Sequence, residues 1–239
     1  STIATQAAAD VAQIRIDFGR AFAQKPVMYA FASTTRYIQG LQSILGLSPA
    51  QAEDMKTSTG IWVKNATAHA VGVDWQKQKA SLPVTVMRHE LTHWMHHQIV
   101  SGDIPAWLDE GNARSEEFAI ANGTHRVMQN RYGAASMAAT NTLYTLAEMT
   151  DIDTWNARTG PGEAYQYYAA AQAVQFLRAD IGLAGVVRIL DLMGQGQAFE
   201  TAYSVVAGQP FTTFSSAYAA RVRALAPVYP GIATAPDSA

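Results

Sequence analysis

The sequence predicts an α+β protein, with a small mixed sheet and helices in its N-terminal half and a mainly helical lobe after it. Three observations predict this. The chain has 239 residues, 49% of them hydrophobic, at a net charge of -2, so it can bury a substantial core and lacks the signature of disorder. Strand-type runs fall only in the first third, at residues 27–32 (VMYAFA) and 61–75 (IWVKNATAHAVGVDW). Beyond Pro83 the apolar residues recur at helical spacing, interrupted by glycines. Strands followed by a long run of helices is the α+β pattern.

Taken in order, residues 5–24 place Val11, Ile14, Phe18 and Phe22 on one face of an amphipathic helix. Residues 27–32 follow Pro26 as a short strand, and 35–45 return to helical spacing. Ser48-Pro49 is a helix start that opens residues 49–55, with proline at the first helical position. Residues 61–75 alternate apolar and small polar side chains and supply one or two strands. An apolar helix covers residues 82–99, and later helices are broken at Gly102, Gly123, 160–162, 182–185 and 194–196. Residues 227–239, rich in Pro, Ala and Ser, form a fraying tail. The expected organisation is one domain over residues 1–226, an α/β lobe to residue 100 and a helical lobe from 101, with a cleft where they join.

Composition removes several classes of function. With no cysteine there is no disulfide, thiolate metal site or cysteine nucleophile. Seventeen basic against 19 acidic residues, without a basic run, lack the footprint of a nucleic-acid binder. No stretch reaches the roughly 18 apolar residues of a membrane span. The start at Ser1, Ala-rich and poor in charge, predicts a secreted or periplasmic chain after loss of a signal peptide. A monomer is the default expectation.

Residues 89–93 read His-Glu-Leu-Thr-His. On a helix, positions i and i+4 share a face, so His89 and His93 can bind one metal ion at about 2.0–2.1 Å each. Glu90, at i+1, can reach a water on that ion without binding the ion itself. The competing reading is a helix with two solvated histidines. It is weakened by the apolar character of residues 82–99, because buried histidines need partners.

The third ligand must come from another element. His89 and His96 are about 10 Å apart in helical rise, too far for both to hold one ion. The metzincin pattern needs a glycine and a third histidine where this chain has His96 and Ile99, which excludes that class. After Gly102, Pro105 opens a second helix, and so short a connection makes the two helices packed neighbours. Glu110 lies about 7 Å along the return helix, close to the level of His93. Asp109 points about 100° away and has a shorter reach. Glu116 and Glu117 are read as carboxylates that support the ligand histidines or lie on the surface.

His89-Glu90-Leu91-Thr92-His93, followed by Pro105-Ala106-Trp107-Leu108-Asp109-Glu110-Gly111, resembles the gluzincin metallopeptidases, above all their small H-E-x-x-H/W-L-x-E-G members. Residues 167–177 and 198–203 resemble the helical lobe of such proteins, whereas the likeness is thin before residue 60. The resemblance implies a zincin-like fold with the metal site at the cleft between the lobes. It implies Zn2+ as cofactor, His89, His93 and Glu110 as ligands, and Glu90 as general base. It also implies a tyrosine that donates to the substrate oxygen, for which Tyr167 has the family spacing, ten residues before Leu177. Tyr165 and Tyr168 stand beside it. A helical wheel puts Tyr165 on the core side with Ala169, Ala173, Phe176 and Leu177, and Tyr167 and Tyr168 off it. The G-x-M-E-N motif of related aminopeptidases is absent, which favours an endopeptidase on peptide or protein substrates. Arg114 stands where thermolysin-like enzymes carry an Asp that orients a zinc histidine.

The expected activity is therefore zinc-dependent peptide-bond hydrolysis, with the substrate paired along an edge strand from residues 61–75. The alternative is a catalytically weak or inactive zincin scaffold that binds a peptide or protein partner. Residues 151–156 begin like a calcium loop, but Trp155 and Asn156 replace an oxygen ligand and a glycine, so Asp151 reads as a helix cap. His69 and His125 read as structural or exposed, and Val186, Val187, Ile189, Leu190 and Met193 as a core stripe.

Overall fold

The computed structural model describes residues 3–64, 69–80, 86–117 and 123–225. Its described elements are α+β: three strands, all before residue 75, and helices throughout the rest. The chain falls into two compact units, Ser1–Gln98 with Glu116–Asn122 and Ile99–Ser115 with Gly123–Ala239.

The first unit opens with α1 (Ile3–Asp17), β1 (Met28–Phe31), α2 (Thr34–Ser43) and α3 (Pro49–Asp54). It continues through β2 (Gly60–Lys64), β3 (His69–Asp74), α4 (Trp75–Ala80) and α5 (Val86–Ile99), whose last residue falls in the second unit. The sheet order is β1-β3-β2, with β1 parallel and β2 antiparallel to β3. Residues 61–75 thus supply two strands, and the mixed sheet is as expected. Ser33 and Ser48 start α2 and α3, the latter through a capping box with Gln51. One face of the sheet is covered by Tyr37, Leu41 and Leu45, against which Tyr29, Phe31, Ile61 and Val63 pack. Gly40 permits this approach, since a Cβ there would meet the Phe31 ring.

Two boundaries differ from the sequence reading. The first helix stops at Asp17 rather than residue 24, because Gly19 turns to the left-handed region at φ 63°. Phe18 and Phe22 still pack inward, on the rings of His96 and Trp94 at 5.4 and 6.2 Å between centroids. The helix α4 was not expected. Asp74 starts it by accepting from the backbone N–H groups of Gln76 and Lys77.

The second unit contains most of α6 (Ala106–Glu117), then α7 (Gly123–Ala139), α8 (Ile152–Asn156), α9 (Pro161–Gly194), α10 (Phe199–Ala207) and α11 (Phe211–Arg223). The long α9 packs against α7 and α10. Trp107, Phe199, Tyr203, Phe211 and Phe214 form an aromatic cluster. The stripe Val186, Val187, Ile189, Leu190 and Met193 is buried as expected. Asp151 caps α8 by accepting from the Thr154 N–H at 2.7 Å. Gly182, an expected break, does interrupt the helical backbone of α9, at φ 73° and ψ 168°. Gly123, another expected boundary, is the first residue of α7. The predicted tail, residues 227–239, lies outside the described residues, as do the first four residues of the expected 82–99 helix. Among the described residues no helix is long and apolar enough to cross a membrane.

Candidate metal centre

The helix α5 is buried at every residue from Met87 to His96, so its polar side chains must be met by protein groups. His89 and His93 are 8% and 7% exposed, which argues against two solvated histidines. Their Nε2 atoms converge to 3.1 Å, with ring planes at 73°. Two nitrogens bound to one tetrahedral zinc at about 2.0–2.1 Å stand about 3.3 Å apart. The observed separation is close to that value, and it is also the distance of a ring-to-ring hydrogen bond.

Glu90, between them, is 7% exposed and faces the first strand residue of β2. A Cβ built on Gly60 would lie 3.3 Å from Glu90 Cγ and 3.4 Å from its Oε1, and only 2.6 Å from Val86 Cγ1. Gly60 thus keeps the strand backbone close to the carboxylate without displacing it. The Tyr37 hydroxyl is pushed well above the usual phenol range, first by burial and next by the charge of Glu90.

Glu110 stands in the second turn of α6, half-buried. The helix starts one residue later than expected, at Ala106, while the Pro105 carbonyl accepts from the N–H groups of Leu108 and Asp109 at 2.8 and 3.0 Å. Gly111 follows because α6 lies hard against α9: a Cβ there would come 2.4 Å from the Ala170 carbonyl oxygen. His89, His93 and Glu110 form a group able to hold a metal ion, with one ligand atom from each and all within 4.8 Å of one another. His93, His96 and Asp109 form a second such group. Neither group contains both His89 and His96, in keeping with the rise along α5. Asp109 falls in the second group and not in the first.

The last turn of α6 belongs to the first unit and meets the start of the motif. Glu116 and Glu117 are 1% and 6% exposed, so neither is a surface carboxylate. Arg88 Nη2 donates to Glu116 Oε2 at 2.9 Å and to Asp17 Oδ2 at 2.5 Å. His89 Nδ1 lies 3.4 Å from Glu117 Oε2. Asp17 titrates above the usual carboxylate range because of burial and then the nearby Glu116 charge, which outweigh the Arg88 contact.

Among the three tyrosines the order of burial differs from the wheel reading. Tyr168 is buried at 8% exposure, its ring against Gly133, whereas Tyr165 and Tyr167 are half-buried. Helices on more than one side of α9 widen its buried arc beyond the stripe of Ala169, Ala173 and Leu177. Tyr167 packs edge-on against Trp155 at 5.2 Å, with the Arg114 guanidinium 5.7 Å from its ring centre. The side chains of His69 and His125 lie outside the described residues. Sequence reasoning missed Gly60 and the grouping of Asp109 with His93 and His96. Comparison with protein-family models and with curated proteins found no match for this chain.

Proposed function

We propose that the chain is a zinc-dependent metallopeptidase of the gluzincin type, an endopeptidase acting on peptides or proteins. The observation that carries this reading is the convergence of His89 and His93 Nε2 at 3.1 Å, with Glu90 one residue along the same helix. Two imidazoles and the Glu110 carboxylate are a donor set suited to zinc, with room in a tetrahedral shell for a further oxygen ligand. A zinc ion held by these three side chains supplies Lewis acidity, polarising a carbonyl and lowering the pKa of a water towards about 7.

Glu90 then acts as general base, taking a proton from the attacking water and delivering it to the leaving amine. Tyr167 is the tyrosine assigned to donate to the substrate oxygen as charge builds on it. Tyr168 is a poorer candidate because its ring is packed against Gly133. The peptide class is favoured by β2. It is one of the two edge strands of the described sheet, and it begins at Gly60 beside Glu90. A substrate strand added to that edge presents its backbone next to the general base.

The test is incubation of the chelator-stripped and the zinc-reconstituted chain with a mixed peptide library, read by mass spectrometry. Internal cleavage that depends on zinc is the expected result. One zinc per chain with an intact library contradicts the peptidase reading and leaves a scaffold that binds without cutting. Well under one zinc per chain contradicts the metal site itself.

A further inference from the structure

We infer that His93, His96 and Asp109 form a second metal seat, an alternative position for a divalent transition-metal ion about one turn further along α5. The inference goes beyond the peptidase reading and does not need it. These three side chains each offer one ligand atom, and the atoms all lie within 4.8 Å of one another. His93 and His96 are spaced i, i+3, which puts two side chains on one face of a helix as i, i+4 does. The same spacing serves di-iron carboxylate bundles, where an i, i+3 pair on one helix meets carboxylates from others. Asp109 and Glu110 are consecutive on α6, so ligands are offered twice: by His89, His93 and Glu110, then by His93, His96 and Asp109.

Two imidazoles and one carboxylate are donors for zinc, cobalt or nickel rather than for calcium or magnesium, which take oxygen ligands. His96 is wholly buried and His93 nearly so, and the Phe18 ring meets His96 edge-on at 5.4 Å, which holds its plane. Asp109, half-buried, is the most exposed of the three. His93 belongs to both groups, and a neutral imidazole has a single lone pair for a metal, so the two seats compete for one ion. An ion in the second seat has exchanged His89, next to Glu90, for His96, six residues beyond Glu90. It is then held by the chain without serving the proposed hydrolysis. The competing reading is a histidine–aspartate contact that needs no ion.

The test is a double-mutant cycle in zinc affinity, measured by competition with a chromophoric chelator on the wild type, His89→Gln, His96→Gln and the double variant. Circular dichroism checks that each variant is folded. His96→Gln alone is expected to change affinity little, because the first seat is intact. His89→Gln is expected to bind zinc more weakly than the wild type, still saturating at one equivalent. Adding His96→Gln to it is expected to cost about 10–100-fold more, since a ligand is lost rather than an outer partner. Such non-additivity supports the second seat, and equal small effects of His96→Gln in both backgrounds overturn it. Should His89→Gln fail to fold, Glu110→Gln takes its place in the cycle, with Asp109→Asn as the second change. Zinc bound by the wild type and lost outright from His89→Gln overturns this inference and leaves the first seat standing. Zinc binding that survives His89→Gln and Glu110→Gln unweakened but is lost with His96→Gln contradicts the first seat and leaves this one. A wild type that binds no zinc overturns both.

Discussion

Glu110, Asp109 and His96 are all close to His93, yet their loss has different consequences. Glu110→Gln removes a negative ligand at constant size, so zinc affinity falls by well over the about 10–100-fold that loss of an outer hydrogen-bond partner costs. Asp109→Asn and His96→Gln leave His89, Glu110 and the Nε2 of His93 in place and change affinity much less. Chelator competition on the three variants side by side ranks them, and zinc lost from His96→Gln but kept by Glu110→Gln contradicts the ligand set. At this scale the sequence was most informative where spacing alone settles geometry. The i, i+4 histidines converge because a helix turn leaves no alternative once the segment is buried.

Gly111 and Gly60 show how elements are brought close enough for the site to exist. Gly111 lets α6 sit on the α9 backbone, and a methyl group there must displace backbone rather than a flexible side chain. Gly111→Ala is expected to lower unfolding free energy by about 1–3 kcal/mol in urea titration. Gly60→Ala crowds Val86 and the Glu90 side chain instead. It is expected to reduce kcat on a cleaved peptide while zinc binding is retained, because the general base shifts and the ligands do not. The elements themselves were largely legible from caps and periodicity, as Ser48 with Gln51 and Asp151 with Thr154 show. The misplaced ends had causes that pattern alone does not carry. Gly19 ended α1 early through its backbone conformation, whereas Gly182, read as a helix break, does interrupt the helical backbone of α9. Which tyrosine of 165, 167 and 168 is buried depends on neighbours that the wheel could not include.

For the molecule as a whole, the cluster of Asp17, Arg88 and Glu116 links stability to pH. Asp17 has its folded-state pKa raised above the ordinary 3.8, so in the acidic range the folded chain holds a proton that the unfolded chain has released. Its favourable contribution is present below that value and is lost as pH rises through the folded-state pKa. Unfolding of the wild type and Asp17→Asn by urea across pH 4 to 7 checks this. The wild type is expected to lose stability relative to the variant as pH rises, and a wild type that gains stability relative to the variant over that range contradicts the assignment. The same cluster ties α1, α5 and the end of α6 together around the motif.

In the proposed reaction Glu90 moves the proton while His89, His93 and Glu110 hold the metal. It is tested most directly by measuring zinc content and peptide turnover together in Glu90→Gln and the wild type, with zinc occupancy matched. One zinc per chain is expected in both, with loss of nearly all turnover in the variant. Full turnover by zinc-loaded Glu90→Gln would contradict it.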